Sequence, residues 1–324
     1  MSFLKGARLV RHGEAARGAW VLREGLVEAV MVMPGGEQTV VASLDAGSVF
    51  GEMSLVERGT YAATVIAATD VDGWFVEADA FRSLSASRGP HALALQRALT
   101  RLLADKLRAV NAKVRAEPAP EDRPATFPLP KSDPLAGLPR LHRASFHHRA
   151  FLPLLPLFQA FDGPEIDEVA APARVLELPR GGWLFVEELV AGSCFAVVRG
   201  AVEVTDRARG VDRRIAVLGP GQLVGHMALL EGGAHGASAR AREDCVLLEW
   251  DREAFTSLYL GTSGASVKLV HAIQRSLLRS MARTNTQLTR LISHARLAAG
   301  AATHAVARAD LEAALHGQLF RAEP

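Results

Sequence analysis

Two stretches of this 324-residue chain follow one template. Residues 50–64 read FGEMSLVERGTYAAT and residues 224–238 read VGHMALLEGGAHGAS. Each keeps a Gly, then Met-x-Leu-x-Glu, then Gly, then small residues before Thr or Ser. Gly51 and Gly225 lie 174 positions apart (225 − 51), and so do Phe81 and Phe255 (255 − 81), in ADAFRSL and REAFTSL. Upstream, LREGLVEAV and VVRGAVEVT align at 175 through Gly25 and Gly200, a shift that one residue in the intervening hairpin explains. A period this long is a duplicated domain rather than a solenoid. Whatever fold one half adopts, the other must adopt as well.

Each half reads as mostly β. WVLREGLVEAVMVM and CFAVVRGAVEVT are short Val-rich runs broken by one Gly, as strands are. MPGGEQ and RARGVD carry turn chemistry between strands. Residues 62–81 and 237–255 add two strands each and end at a polar helix start. Strands at this spacing suggest a barrel or jelly roll. A long helix follows each barrel. Residues 91–116 place Leu95, Leu99, Leu102, Leu103, Leu107 and Val110 on one face. Residues 262–297 do the same with Val270, Ile273, Leu277, Met281, Leu288, Leu291 and Ala295.

The expected architecture is therefore mainly β with helices (α+β), two jelly-roll β-barrels each followed by a long helix. The domains are residues 1–116, a Pro-rich semi-rigid linker over 117–145, residues 146–297 with a helical lead-in at 150–172, and an Ala-rich tail over 298–324. The first barrel starts almost on a strand, so the N-terminal domain is read as trimmed or as starting upstream.

Composition bounds the function classes. Half the residues are hydrophobic (49%), too many for a disordered chain. No apolar run nears the roughly 20 residues that span a bilayer, and the N-terminus lacks a signal-peptide core; a cytoplasmic protein is expected. Cys194 and Cys245 sit in apolar, strand-like surroundings with no metal-ligand spacing, so both are read as buried inert thiols. No nucleophile–base set, Walker loop or His cluster appears, so no enzyme, no required cofactor and no metal are expected.

The pattern F-G-E-x-x-L, a loop, and a polar residue before A-A-T resembles the phosphate-binding cassette of cyclic nucleotide-binding domains. Such domains occur in protein kinase A regulatory subunits, nucleotide-gated channels and bacterial catabolite activators. The G-x-x-L-V-R-x-G-E run from Gly6 to Glu14 fits the same family. The resemblance implies a cyclic nucleotide such as cAMP or cGMP as ligand. It implies a short helical turn presenting backbone N–H groups to a phosphate, with small residues allowing close approach. It further implies a Glu after the Gly that accepts from the ribose 2′-hydroxyl, and an Arg before A-A/S-T that clamps the phosphate.

Carried onto this chain, the first cassette is Phe50, Gly51, Glu52, Met53, Ser54, Arg58, Tyr61, Ala62, Ala63 and Thr64. The second is Gly225, His226, Met227, Ala228, His235, Gly236, Ala237 and Ser238. The first keeps its carboxylate in Glu52 but has Tyr61 at the arginine position; Arg58, three residues earlier, is the local substitute. The second has His226 for the carboxylate and His235 for the arginine. Losing one partner of a buried charge pair costs roughly 2–5 kcal/mol, about one and a half to three and a half decades of affinity. The first cassette is thus expected to retain weak binding and the second to be degenerate.

Lys268, Arg275, Arg279, Arg283 and Arg290 form a basic stripe opposite the apolar face of the last helix. No acidic residue occurs between Ala254 and Ala309. A protein partner or a homodimer through helices 91–116 and 262–297 is expected. The 28 or so residues after them hold no helix-turn-helix, so direct sequence-specific DNA binding is not expected. The expected role is a regulatory protein signalling through its helices. The alternatives are a ligand-free interaction scaffold and a catabolite activator-like regulator without its own DNA-binding part.

Overall fold

The computed structural model describes the backbone of residues 1–32, 38–86, 89–116, 123–124, 128–141, 148–208 and 211–319. Side chains are described for these residues except 123, 124, 141, 208 and 295–319. The centres of both expected hairpin turns and much of the expected linker lie outside these residues.

The first domain runs β1 (Ser2–Phe3), β2 (Arg8–Val10), β3 (Gly18–Glu24), β4 (Val27–Val32), β5 (Gln38–Leu44), β6 (Val49–Phe50), α1 (Met53–Val56), β7 (Thr64–Ala67), β8 (Val71–Glu77), α2 (Ala78–Ala86) and α3 (Pro90–Ala116). Its two antiparallel sheets have orders β1-β8-β3-β6 and β2-β7-β4-β5. Alternate strand residues point into the space between the sheets, and there Trp20, Leu22, Val27, Phe50, Tyr61 and Val65 form one core.

Next come β9 (Arg123–Pro124), β10 (Arg140–Leu141), α4 (His148–Phe151) and α5 (Gly163–Ala170). The lead-in helix is therefore broken; Leu152–Leu154 is a 3-10 turn, and α5 starts at a capping box between Asp162 and Glu165. The second domain then repeats the first: β11 (Arg174–Leu178), β12 (Trp183–Phe185), β13 (Ser193–Arg199), β14 (Val202–Ala208), β15 (Val211–Leu218), β16 (Leu223–Val224), α6 (His226–Glu231), β17 (Ser238–Ala241), β18 (Cys245–Asp251), α7 (Arg252–Leu260) and α8 (Gly264–Leu319). Its sheets are β10-β11-β18-β13-β16 and β12-β17-β14-β15-β9. Two short linker strands thus cap an edge of each sheet. The duplication extends to irregularities: β3 slips register against β8 at Leu22/Glu24, and β13 slips against β18 at Val197/Arg199.

The helices join the halves. One core runs from Leu55 and Phe81 in the first domain through Leu99, Leu103 and Leu107 of α3 to Ile273, Leu277 and Met281 of α8. The face of α3 differs from the sequence expectation. Leu95 is exposed, whereas Gln96 and Thr100 point inward at 1% and 0% exposure. The reason is a polar node in the seam: the Gln274 amide donates to the Gln96 carbonyl (2.9 Å) and to Thr100 Oγ1 (3.1 Å). Buried hydrogen bonds between packed helices fix register, although Gln96 Oε1 itself has no partner among the described residues. The apolar stripe of α8 is likewise used inside the chain, with Val270, Ile273, Leu277, Met281 and Leu291 all buried. Backbone helix continues through the Ala-rich tail to Leu319. Both cysteines are buried and unpaired, and burial pushes the Cys194 thiol up, which suits inert core residues. No helix among the described residues is long and apolar enough to cross a membrane.

Candidate functional site

The two Gly-led turns occupy equivalent places, each between a two-residue strand and a short helix at one end of its barrel. Gly51 and Gly225 take φ values of +76° and +81°, a region where only Gly rests without strain. A Cβ on Gly51 would come within 2.7 Å of the Gly18 carbonyl oxygen. The leading Gly of the template is thus explained by backbone geometry and close packing.

The polar positions behave differently in the two halves. In the first cassette Tyr61 is buried, and its hydroxyl donates to the Gly18 carbonyl at 3.1 Å. Its ring belongs to the core with Trp20 and Phe50. Glu52 is 4% exposed and is held by Lys106 of α3, Nζ to Oε2 2.7 Å. The same ammonium donates to the Val49 carbonyl at 2.6 Å. Ser54 donates to the Gly51 carbonyl, and Thr64 Oγ1 accepts from the His12 amide. Met53 packs against the interdomain core. Arg58 is turned outward to Asp79 at 3.4 Å, with 83% of its side chain exposed. Ala62 is exposed and Ala63 half-buried. The polar side chains Glu52, Ser54, Tyr61 and Thr64 of this turn are thus engaged by the protein itself.

The second cassette opens on a cavity of about 340 Å³. Gly225, His226, Met227, Ala228, His235, Gly236 and Ala237 all line it, and Ser238 lies behind, accepting from the Glu187 amide. His226 is 6% exposed, and neither ring nitrogen has a hydrogen-bond partner among the described residues. His235 stacks flat on Phe185, centroids 3.8 Å apart and planes 6° apart. Burial pushes both imidazoles down to about 4, so at neutral pH both are uncharged. Neither histidine therefore supplies the positive charge expected at the arginine position.

Other residues carry positive charge at the cavity. Four arginines line the cavity, Arg108 and Arg115 from α3, Arg213 from β15 and Arg283 from α8, against one carboxylate, Asp206. Arg108 pairs with Glu231 at the end of α6. Arg213 donates to the Val114 carbonyl. Arg115 reaches Asp206 (Nε to Oδ2, 2.7 Å) and donates to the Gly236 carbonyl at 2.9 Å. Asp206 is 4% exposed, burial raises its pKa against the pull of Arg115 and Arg213, and its Oδ1 has no partner among the described residues. The expected basic stripe on α8 is thus not uniformly solvated: Arg283 faces the cavity and Lys268 is tied to Glu165 at 2.5 Å.

Sequence reasoning named the cassette residues at both sites. It missed Asp206, Arg213, Arg108 and Arg115. All four lie outside the cassettes: Asp206 and Arg213 are cross-strand partners on β14 and β15, and the packing of α3 over the second barrel brings in Arg108 and Arg115. No group of three or more metal-ligating side chains occurs among the described residues.

Comparison with known proteins gives a consistent family signal. A family model described as cyclic nucleotide-binding domain matches residues 1–88 and again 175–261. The cyclic AMP receptor protein of Thermus thermophilus is 34% identical over 104 residues, 32% of this chain and 48% of that protein. A CRP-like cAMP-activated global transcriptional regulator of Mycobacterium tuberculosis is 27% identical over 136 residues, 41% of this chain and 59% of that protein. The chain therefore spans about half the length of the curated relatives it matches. Among solved structures, the regulatory domain of Toxoplasma gondii PKA with cAMP covers 81% of each chain at 17% identity and a TM-score of 0.33. The Thermus thermophilus catabolite activator protein covers 50% of this chain and 63% of its own at 26% identity and a TM-score of 0.30.

Proposed function

The chain belongs to the cyclic nucleotide-binding domain family, and from that premise we propose that it is a regulatory protein whose second domain holds a cyclic nucleotide-class ligand beneath its two long helices. One observation carries this reading. The cavity of about 340 Å³ at the second cassette is roofed by α3 of the first domain and α8 of its own, a volume in the range of small-molecule sites. Retention of Glu52 makes the first cassette the better candidate by sequence. We infer the reverse order, because Lys106 engages that carboxylate and Tyr61 is packed against Gly18. The first domain then serves as a scaffold that delivers α3. A ligand can shift helix positions only if it contacts them differently in two states, and here α3 and α8 both contribute to the cavity wall.

The test is calorimetry on the full chain with cAMP and cGMP. One ligand per chain is expected. Ala237→Trp, which fills the second cavity, abolishes the heat, and Glu52→Ala leaves it intact. Two ligands per chain, or no heat at millimolar nucleotide, overturns the reading.

A further inference from the structure

The second cassette has lost its own cation, since His235 stands where the arginine is expected and stacks neutrally on Phe185. Yet a guanidinium sits at that loop. Arg115, the penultimate residue of α3, donates through Nη2 to the carbonyl of Gly236, the residue directly after His235, and lines the same cavity. We propose that Arg115 is the anion-holding residue of the second-domain cavity, so that one domain supplies the cation for a ligand bound in the other. This rests on the reading that the second cavity is the ligand site.

Three features support the assignment. A guanidinium carries five N–H donors in a planar fork. The described bonds of Arg115 use its Nε toward Asp206 and its Nη2 toward Gly236, which leaves the Nη1 donors for an anion. The end of α3 is also pinned in place, because Arg213 on the barrel wall donates to the carbonyl of Val114, the preceding residue. A preorganised donor loses little on binding. Finally, the cavity around Arg115 has polar atoms without partners among the described residues. These are both ring nitrogens of His226 and Asp206 Oδ1, on residues 6% and 4% exposed. A buried acceptor left open beside a cation suits a ligand carrying a hydroxyl next to its anionic group. The class is therefore a phosphorylated sugar of nucleotide size: the phosphate on Arg115, a sugar hydroxyl donating to Asp206, and His226 completing the polar set.

The experiment compares cAMP with adenosine, which shares base and ribose but lacks the phosphate, on the full chain and on Arg115→Ala and Arg115→Lys. The wild-type chain is expected to bind cAMP more tightly than adenosine. Arg115→Ala should weaken cAMP by about 30-fold or more, move adenosine by less than about threefold, and leave the near-ultraviolet dichroism unchanged. Arg115→Lys, which keeps charge but not the fork, should fall between. If Arg115→Ala binds cAMP as the wild-type chain does, the assignment of Arg115 fails while the second-domain site stands. If the wild-type chain binds adenosine and cAMP equally, the phosphate has no cation and the assignment fails without recourse to a variant. If neither compound binds at millimolar concentration, the function proposed above fails and this inference with it.

Discussion

Replacing His226 by Leu should make the protein more stable, by an amount that grows as pH falls. The imidazole is 6% exposed, both ring nitrogens lack partners among the described residues, and burial pushes its pKa from 6.5 to about 4. In the unfolded chain the same ring titrates at 6.5. Below that pH the unfolded chain binds a proton that the folded chain refuses until about pH 4, so stability is lost on acidification through this window. Integrating between pH 7 and pH 5 gives a loss of about 2 kcal/mol for His226. His235, depressed equally but with its ring edge on the cavity, adds up to as much again. Other groups move differently. Asp206 and Glu187 are pushed up by burial and favour the fold as pH falls. Asp72 and Asp79, held low by neighbouring cations, matter only below their unfolded value of 3.8. All of these are shared by wild type and variant, so a difference measurement removes them. Urea unfolding of the two proteins at pH 7 and pH 5 is the assay. The stability gap in favour of His226→Leu should widen by about 2 kcal/mol between the two pH values. A gap of constant size would refute this, because it would mean that the ring is partnered or already protonated in the fold.

Two further substitutions test the packing that separates the halves. Lys106→Met leaves Glu52 buried without its counter-ion and should destabilise the chain by about 3–5 kcal/mol; adding Glu52→Leu should recover most of that in a urea midpoint measurement. Leu277→Ala removes a side chain 1% exposed in the α3–α8 core, and a loss of about 2–5 kcal/mol is expected by the same assay. A change in self-association without that loss would return the α8 stripe to a role between chains.

The duplication was legible because fold positions obey local rules. A Gly at positive φ, a Phe at an equal offset and a Val-rich strand are set by backbone and pleat, and both copies had to keep them. The helix 91–116 was also readable, though its inner face was not. Hydropathy put Leu95 inside and gave no reason to bury Gln96 or Thr100, because their partner, Gln274, is 178 positions from Gln96 (274 − 96) and becomes adjacent only when α3 lies along α8. The cassettes were readable as candidate sites, and the contacts each one makes were not. Keeping Glu52 made the first copy look better by composition, but a carboxylate is available to a ligand only if no ammonium reaches it first. Lys106, more than fifty residues downstream, is invisible to a motif. Arg115, 121 positions before Gly236, is hidden from the second cassette in the same way.

The contacts of the two cassettes differ through one asymmetry, the position of α3. As the helix after the first barrel, it presses Lys106 onto the Val49 carbonyl and Glu52, which closes the first turn. Two and a half turns later it passes over the second barrel, where Arg115 meets Asp206 and Gly236. Lys106 and Arg115 are thus fixed to one rigid rod, and the seam with α8 at Gln96, Thr100 and Gln274 holds that rod in register. A ligand that drew Arg115 toward it would have to shift the end of α3 or distort it. A shift would load the Lys106–Glu52 pair two and a half turns back, where a carboxylate 4% exposed has little tolerance for losing its partner. If the second domain holds the ligand as proposed above, α3 connects the Lys106–Glu52 pair of the first cassette to that ligand. That makes the Lys106–Glu52 pair the natural place to look for a response to occupancy of the second domain.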